Sequence, residues 1–138
     1  TFTNNGVWQG LSGLGPTGFF FESVNNITVQ DNWVLTGGQN GAYSNSAGSN
    51  QTNDNNFAQG IGSWGGVMIT RGAAVNTTCT NNTCGAVANY AADGVNPGYV
   101  PATLPGTNTL IPVAASVTDD TYLAPWLAAH PTARPKPF

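Results

Sequence analysis

The sequence predicts an all-β domain. The expected form is a sandwich or barrel-like pair of sheets with long Asn/Gly-rich loops and at most one short C-terminal helix. Three observations predict it. Residues 19–36, FFFESVNNITVQDNWVLT, alternate with a two-residue period. Phe19, Phe21, Ile27, Val29, Trp33 and Leu35 fall on one face, and Glu22, Asn26, Thr28, Gln30, Asn32 and Thr36 on the other. Successive strand side chains point to opposite sides of a sheet, so these are a core face and a solvent face. Second, Gly 18 and Pro 9 punctuate the chain and break helical patterns. Third, four Trp, four Tyr and six Phe supply large side chains that suit a pleated, half-buried surface. A length of 138 residues favours one domain, 1–138, with an extended Pro-rich tail at 130–138.

Taken in order, residues 1–3 and 6–9 read as short strands around the turn signal Asn5-Gly6. The central run follows, with Asp31-Asn32 as a turn or bulge dividing it. Residues 37–66 are almost entirely Gly, Asn, Ser, Gln and Ala. They read as one long loop, pinned by Tyr43, Phe57, Ile61 and Trp64 or by a neighbouring subunit. GVMIT at 66–70 is a strand, and 73–78 continues the sheet. AVANYAA at 86–92 fits a weak helical turn or a strand, and a turn-rich connector follows. LIPVAASV at 110–117 reads as a strand, with Pro112 at an edge or bulge because it lacks the ladder N–H. Asp119 and Asp120 are placed to cap a short helix over 121–129, limited by Pro125. The tail HPTARPKPF should be extended.

The stretch FFFES-VNNITVQDN-WVLTGG resembles the coils of right-handed parallel β-helices, where short apolar strands alternate with Asn and Gly turns. The resemblance covers residues 19–38 and carries no catalytic residue. No second coil is read at a regular interval, so a short right-handed parallel β-helix is the minor alternative for the fold.

Charged residues are 7% of the chain, against roughly 25% in an average soluble domain. The formal net charge is −3, with only Arg71, Arg134 and Lys136 on the basic side. Nucleic-acid binding draws its affinity from clustered Lys and Arg, so it is not expected. No apolar run approaches the ~20 residues that span a bilayer, so no membrane insertion is expected. If the protein is secreted, Thr1 reads as a mature end left after a leader is removed.

Cys79 and Cys84 are expected to form a disulfide, which fits a secreted or extracellular surface location. Asn26, Asn50, Asn76 and Asn81 open four N-glycosylation sequons. The single histidine, His130, precedes Pro131, and no G-x-S-x-G is present. Glu22 and Asp31 make a weak carboxylate pair. No catalytic residue, metal ligand or cofactor is therefore assigned, and an enzyme is not expected. The reading that follows is a structural subunit of an extracellular assembly: a pilus, filament, surface layer or virion coat. Its partners would be further copies in a homo-oligomer or polymer. Contacts would come from Thr1, Phe2, Thr3, Phe57, Trp126 and Phe138. The alternative is a carbohydrate-binding or adhesin module, with a glycan stacked on Tyr43 and Trp64.

Overall fold

The computed structural model describes residues 1–13, 19–22, 24–38, 43–46, 49–60, 67–71, 75–84, 86–90 and 108–138. Side chains are described at 1–8, 19, 24–35, 50, 52–60, 80–84, 108–109 and 111–138.

The strands fall into successive coils. The first coil holds β1 (Phe2–Thr3), β2 (Gly6–Gly13) and β3 (Phe19–Glu22). The second holds β4 (Thr28–Gln30), β5 (Trp33–Gly38) and β6 (Tyr43–Ser46). The third holds β7 (Ser49–Asp54), β8 (Phe57–Gly60) and β9 (Val67–Arg71). The fourth holds β10 (Val75–Thr80), β11 (Thr83–Cys84) and β12 (Ala86–Tyr90). β13 (Thr109–Leu110) starts a fifth, and the helix α1 (Leu123–Ala129) follows. The sheets have the orders β1-β4-β7-β10, β13-β11-β8-β5-β2 and β12-β9-β6-β3. Every pairing among the described strands is parallel. The chain therefore visits three sheets in rotation, and each strand pairs with the strand one coil away.

This overturns the sandwich or barrel-like expectation. Sandwiches of this size are built from antiparallel strands returned by hairpins. Here no described strand pairs antiparallel with another. Residues 37–66 are corrected with it, because they contain β6, β7 and β8 in place of one long loop. Polar strands such as β6 and β7 are stable because each is paired on both sides. The repeat also stacks like side chains on like.

The turns have a common local cause. Asn4, Asp31, Asn55 and Asn81 take φ of 59°, 55°, 56° and 56°, one in each coil. Asn26 and Asn50 do the same at another corner, with φ of 56° and 54°. A single left-handed residue redirects the chain, and Asn and Asp tolerate that region better than other residues with a Cβ.

Two apolar clusters flank β5 and β8. Inside the coil lie Val29, Val34, Ala58 and Cys84, with Phe2, Val7, Phe19 and Ile27 packed against them. Outside lie Trp33, Leu35 and Phe57, covered by Ile111, Ala114, Leu123, Trp126 and Ala133. Trp33, Val34 and Leu35 are consecutive, and all are buried. That breaks the alternation expected of a strand with one wet face, and Asn32 is buried too. A parallel sheet covered on both sides reads as a continuous apolar run.

Residues 111–138 form the outer cover, a strap across the five-stranded sheet. Its helix begins at Tyr122 with no side-chain cap. Asp119 instead holds the preceding turn, accepting from the Thr121 hydroxyl at 2.7 Å and from the Ala115 N–H at 2.7 Å. Asp120 pairs with Lys136. Pro125 sits in the first turn of α1, where its missing N–H costs no helical bond, so it does not limit the helix. Residues 111–117 are not a strand, because Ile111 and Ala114 are bonded to Cys84 and Gly60 as a lateral crossing.

Candidate functional site

The most ordered polar structure in the molecule is a ladder of asparagines at one corner of the coil. Asn5, Asn32, Asn56, Asn82 and Asn108 follow at intervals of 27, 24, 26 and 26 residues. Asn32, Asn56 and Asn82 are almost completely buried. Each Oδ1 accepts two bonds from the asparagine one coil earlier. Asn32 Oδ1 takes the Asn5 backbone N–H at 2.9 Å and Nδ2 at 3.0 Å. Asn56 Oδ1 takes the same pair from Asn32 at 3.1 and 3.0 Å. Asn82 serves Asn56 at 2.9 and 3.1 Å, and Asn108 serves Asn82 at 3.1 and 3.0 Å. The remaining Nδ2 capacity goes to main-chain carbonyls: Asn32 to Phe2 and Gln30, Asn56 to Val29, Asn82 to Asn53. Buried amides are tolerated only when satisfied, and here they are. The ladder has a direction: donors lie in the earlier coil, acceptors in the later one.

Outside this row runs a second one. Asn55 Nδ2 donates to Asp31 Oδ1 at 2.7 Å, and Asn81 Nδ2 and the Thr80 hydroxyl donate to Asp54 Oδ1 at 2.8 and 2.9 Å. These carboxylates act as acceptors within the stack.

The sequons belong to the same periodicity. Asn26 and Asn50 are exposed, and Asn50 Nδ2 donates to Asn26 Oδ1 at 3.0 Å. Thr28 pairs with Thr52, and Thr52 with Thr78. The flanking pairs Val75–Ser49 and Thr77–Gln51 put Asn76 opposite Asn50, although its side chain lies outside the described residues. Three of the four sequons are thus one coil position repeated: a corner asparagine followed by a strand threonine. The fourth, Asn81, is exposed and lies at the ladder corner.

Other predicted residues scatter. Cys84 is buried in the coil interior opposite Ala58, whereas Cys79 pairs opposite Asn53 in a different sheet and its side chain lies outside the described residues. Tyr43 lies in β6 with its side chain outside them, and Trp64 is outside them altogether. Thr1 is exposed, Phe2 and Thr3 are half-buried, and Phe2 meets Phe19 edge to face at 4.9 Å. Phe57 and Trp126 are spent on each other, with ring centroids 5.9 Å apart. Phe138 packs beside Trp8 at 5.6 Å, with Lys136 over its ring at 4.8 Å. The tail is therefore packed on its own coil.

The strap is tied down by polar bonds as well. Trp33 Nε1 donates to the Arg134 carbonyl at 2.5 Å, Trp8 Nε1 to Val117 at 2.6 Å and Gln59 Nε2 to Pro112 at 2.8 Å. Gln59 Oε1 and Trp126 Nε1 are buried with no bond among the described residues. His130 stacks on Trp126 at 4.0 Å, and its Nδ1 bonds the Trp126 carbonyl at 2.6 Å.

Sequence reasoning missed the ladder. Its signal is a tripeptide, Asn-x-small apolar: NGV, NWV, NFA, NTC and NTL at 5–7, 32–34, 56–58, 82–84 and 108–110. No protein-family model, curated protein or solved structure matches the chain.

Proposed function

We propose that this chain is a structural subunit of an extracellular assembly. The observation that supports the reading is the repeat itself: the described strands pair in parallel, coil on coil, and a row of asparagines bonds each coil to the next. A body built by repetition suits a structural role. A rigid, repetitive body with few charges adds little long-range repulsion between copies. The sequons fit the same secreted setting, whereas Cys84 is not disulfide-bonded in the structure, so the expected Cys79–Cys84 bridge lends no support here. Intact mass before and after reduction tests the bridge, and two alkylated thiols in unreduced, denatured protein would remove it.

The strap changes which segments carry assembly in this reading. Phe57, Trp126 and Phe138 serve the subunit's own fold, which leaves Thr1, Phe2 and Thr3 of the expected contact residues. Sedimentation velocity over a range of concentrations, with electron microscopy of the same samples, tests the reading. Oligomers or filaments are expected. A monodisperse monomer at high concentration would overturn it. Glycan binding by that monomer, lost when Tyr43 or Trp64 is replaced by Ala, would move the conclusion to a carbohydrate-binding module.

A further inference from the structure

We propose that Asn5 is a modification site: it deamidates spontaneously through Gly6, and the asparagine ladder holds that reaction off in the folded chain. The inference goes beyond the structural-subunit reading and does not depend on it.

The first argument is the residue that follows each rung. Asn32, Asn56, Asn82 and Asn108 precede Trp33, Phe57, Thr83 and Thr109, whereas Asn5 precedes Gly6. Asn5-Gly6 is the one Asn-Gly pair among the described residues, and Asn40-Gly41 lies outside them. The backbone nitrogen of the following residue can attack an asparagine side chain at Cγ. A side chain on that residue hinders the approach, and glycine has none. At this pair the Gly6 amide proton passes to base, the Gly6 nitrogen bonds to Asn5 Cγ, and Nδ2 leaves as ammonia. The product is a cyclic succinimide. Water then opens it at either carbonyl and leaves aspartate or isoaspartate at position 5. Water is consumed and ammonia released in equal amounts, with no oxidant or reductant.

The second argument is that the fold requires this glycine. A Cβ at Gly6 would lie 2.3 Å from Trp33 Cε2. Trp33 is buried, and its Nε1 is bonded to the Arg134 carbonyl. The ring therefore occupies the space of a side chain at position 6. Packing of the outer core thus imposes on a ladder asparagine the neighbour that hinders attack least.

The third argument is what the ladder does to the reaction. Asn5 Nδ2 donates to the Thr3 carbonyl and to Asn32 Oδ1, both at 3.0 Å. The Asn5 backbone N–H donates to Asn32 Oδ1 at 2.9 Å, and the Asn5 carbonyl accepts from the Trp33 N–H at 2.9 Å. Ring closure needs rotations of the Asn5 side chain and backbone that these bonds oppose. The reaction therefore waits for local opening of the corner. Its product does not fit the rung. A carboxylate at position 5 has no N–H, so its oxygens would face the Thr3 carbonyl and Asn32 Oδ1, both acceptors.

The test follows position 5 by peptide mapping and mass spectrometry. The 138-residue chain is kept in one mildly alkaline buffer, with and without guanidinium chloride. Conversion should be about tenfold slower, or more, in the folded chain. Asn32→Ala removes the acceptor of two Asn5 bonds and should raise the rate in the folded chain by about tenfold. Asn82→Ala strips a rung bonded to Asn56 and Asn108 and should leave position 5 unchanged. Far-UV circular dichroism and urea midpoints establish that each variant is folded. Equal rates with and without denaturant, or no conversion at position 5 in denaturant, would overturn the proposal. Equal acceleration by the two rung variants would do the same, because it traces the effect to general loss of stability. Should either variant fail to fold, the ratio of rates in the folded and denatured wild-type chain decides the matter. Asn5→Asp, the product itself, should lower the urea midpoint, and an unchanged midpoint would show that the rung accepts a carboxylate and that the third argument fails.

Discussion

At the coil corner, Asn32, Asn56 and Asn82 bond to rungs 24, 26 or 27 residues away, and the same pattern recurs in every coil. Across the outer face, Trp33 reaches Arg134 over 101 residues and Gln59 reaches Pro112 over 53, and neither bond recurs. The corner is periodic, and its buried amides at Asn32, Asn56 and Asn82 are satisfied. The strap is aperiodic, carries the large aromatics, and leaves Gln59 Oε1 and Trp126 Nε1 without a bond among the described residues. The two regions hold opposite faces of the same strands. Among the described residues the fully buried side chains of the inner cluster are Val, Ala and Cys, while the larger Trp33, Leu35, Phe57 and Trp126 are buried in the outer one. Repetition supplies register here, while the single strap supplies the heavy packing.

Truncating the strap's anchor should give the largest effect. Trp126→Ala removes the ring that covers Phe57 and stacks on His130. It should cost about 3–5 kcal/mol, read as a lower urea midpoint. A loss under about 1 kcal/mol would mean the coil stands without its cover. Asn56→Ala comes next, at about 2–4 kcal/mol, because it strands the Asn32 N–H and the Val29 carbonyl in the interior. A larger loss at Asn56 than at Trp126 would invert the comparison and make the corner the main source of stability.

Gly6→Ala probes the place where the two regions meet. A Cβ at Gly6 would lie 2.3 Å from Trp33 Cε2 and 2.4 Å from its Nε1, and that ring is pinned by the Arg134 carbonyl. The expected cost is about 1–3 kcal/mol. Tryptophan emission should shift with it, and a neutral substitution would show that the strap lets the ring move. The smallest effect belongs to Asp119. Bonds from the Thr121 hydroxyl and from the Ala115 and Thr121 N–H groups lower its pKa, against a slight opposing effect of burial. A lowered folded value means the stabilisation is present above the ordinary aspartate pKa of about 3.9 and is lost as pH falls through the lower folded value. Protection against amide exchange at Ala115 and Thr121, taken relative to the intrinsic rate at each pH, should therefore fall in acid, and Asp119→Asn should abolish that change.

The strands at 19–36 were legible because Phe, Ile, Val and Trp alternate there, and the break at Asp31-Asn32 falls where β4 ends and β5 begins. The coil was hidden. The stretch at 19–38 that resembles a β-helix runs from the end of one coil into the next and is shorter than one repeat, so it displays no period. The interval also slips between 24 and 27 residues. The clearest marker was read as composition: Asn5, Asn32, Asn56 and Asn82 look like loop residues, since buried amides are rare unless stacked. Polarity misled in the same way over 43–60, where Ser, Asn and Gln fill β6 and β7. The strap was illegible for a different reason. Its burial depends on Trp33, Leu35 and Phe57 facing outward, and nothing local in residues 111–138 announces a sheet that lies far away in sequence.

The repeated sequon has a stoichiometric consequence. Asn26 and Asn50 occupy the same corner one coil apart, and Asn76 shares their register. Neighbouring strands of a sheet lie ~4.8 Å apart, which is too little for branched sugars on adjacent rungs to stand side by side. A glycan at Asn50 would crowd out those at Asn26 and Asn76. The corner would then carry sugar on alternate rungs at most, and glycoforms of the intact chain would show occupied sites that avoid one another.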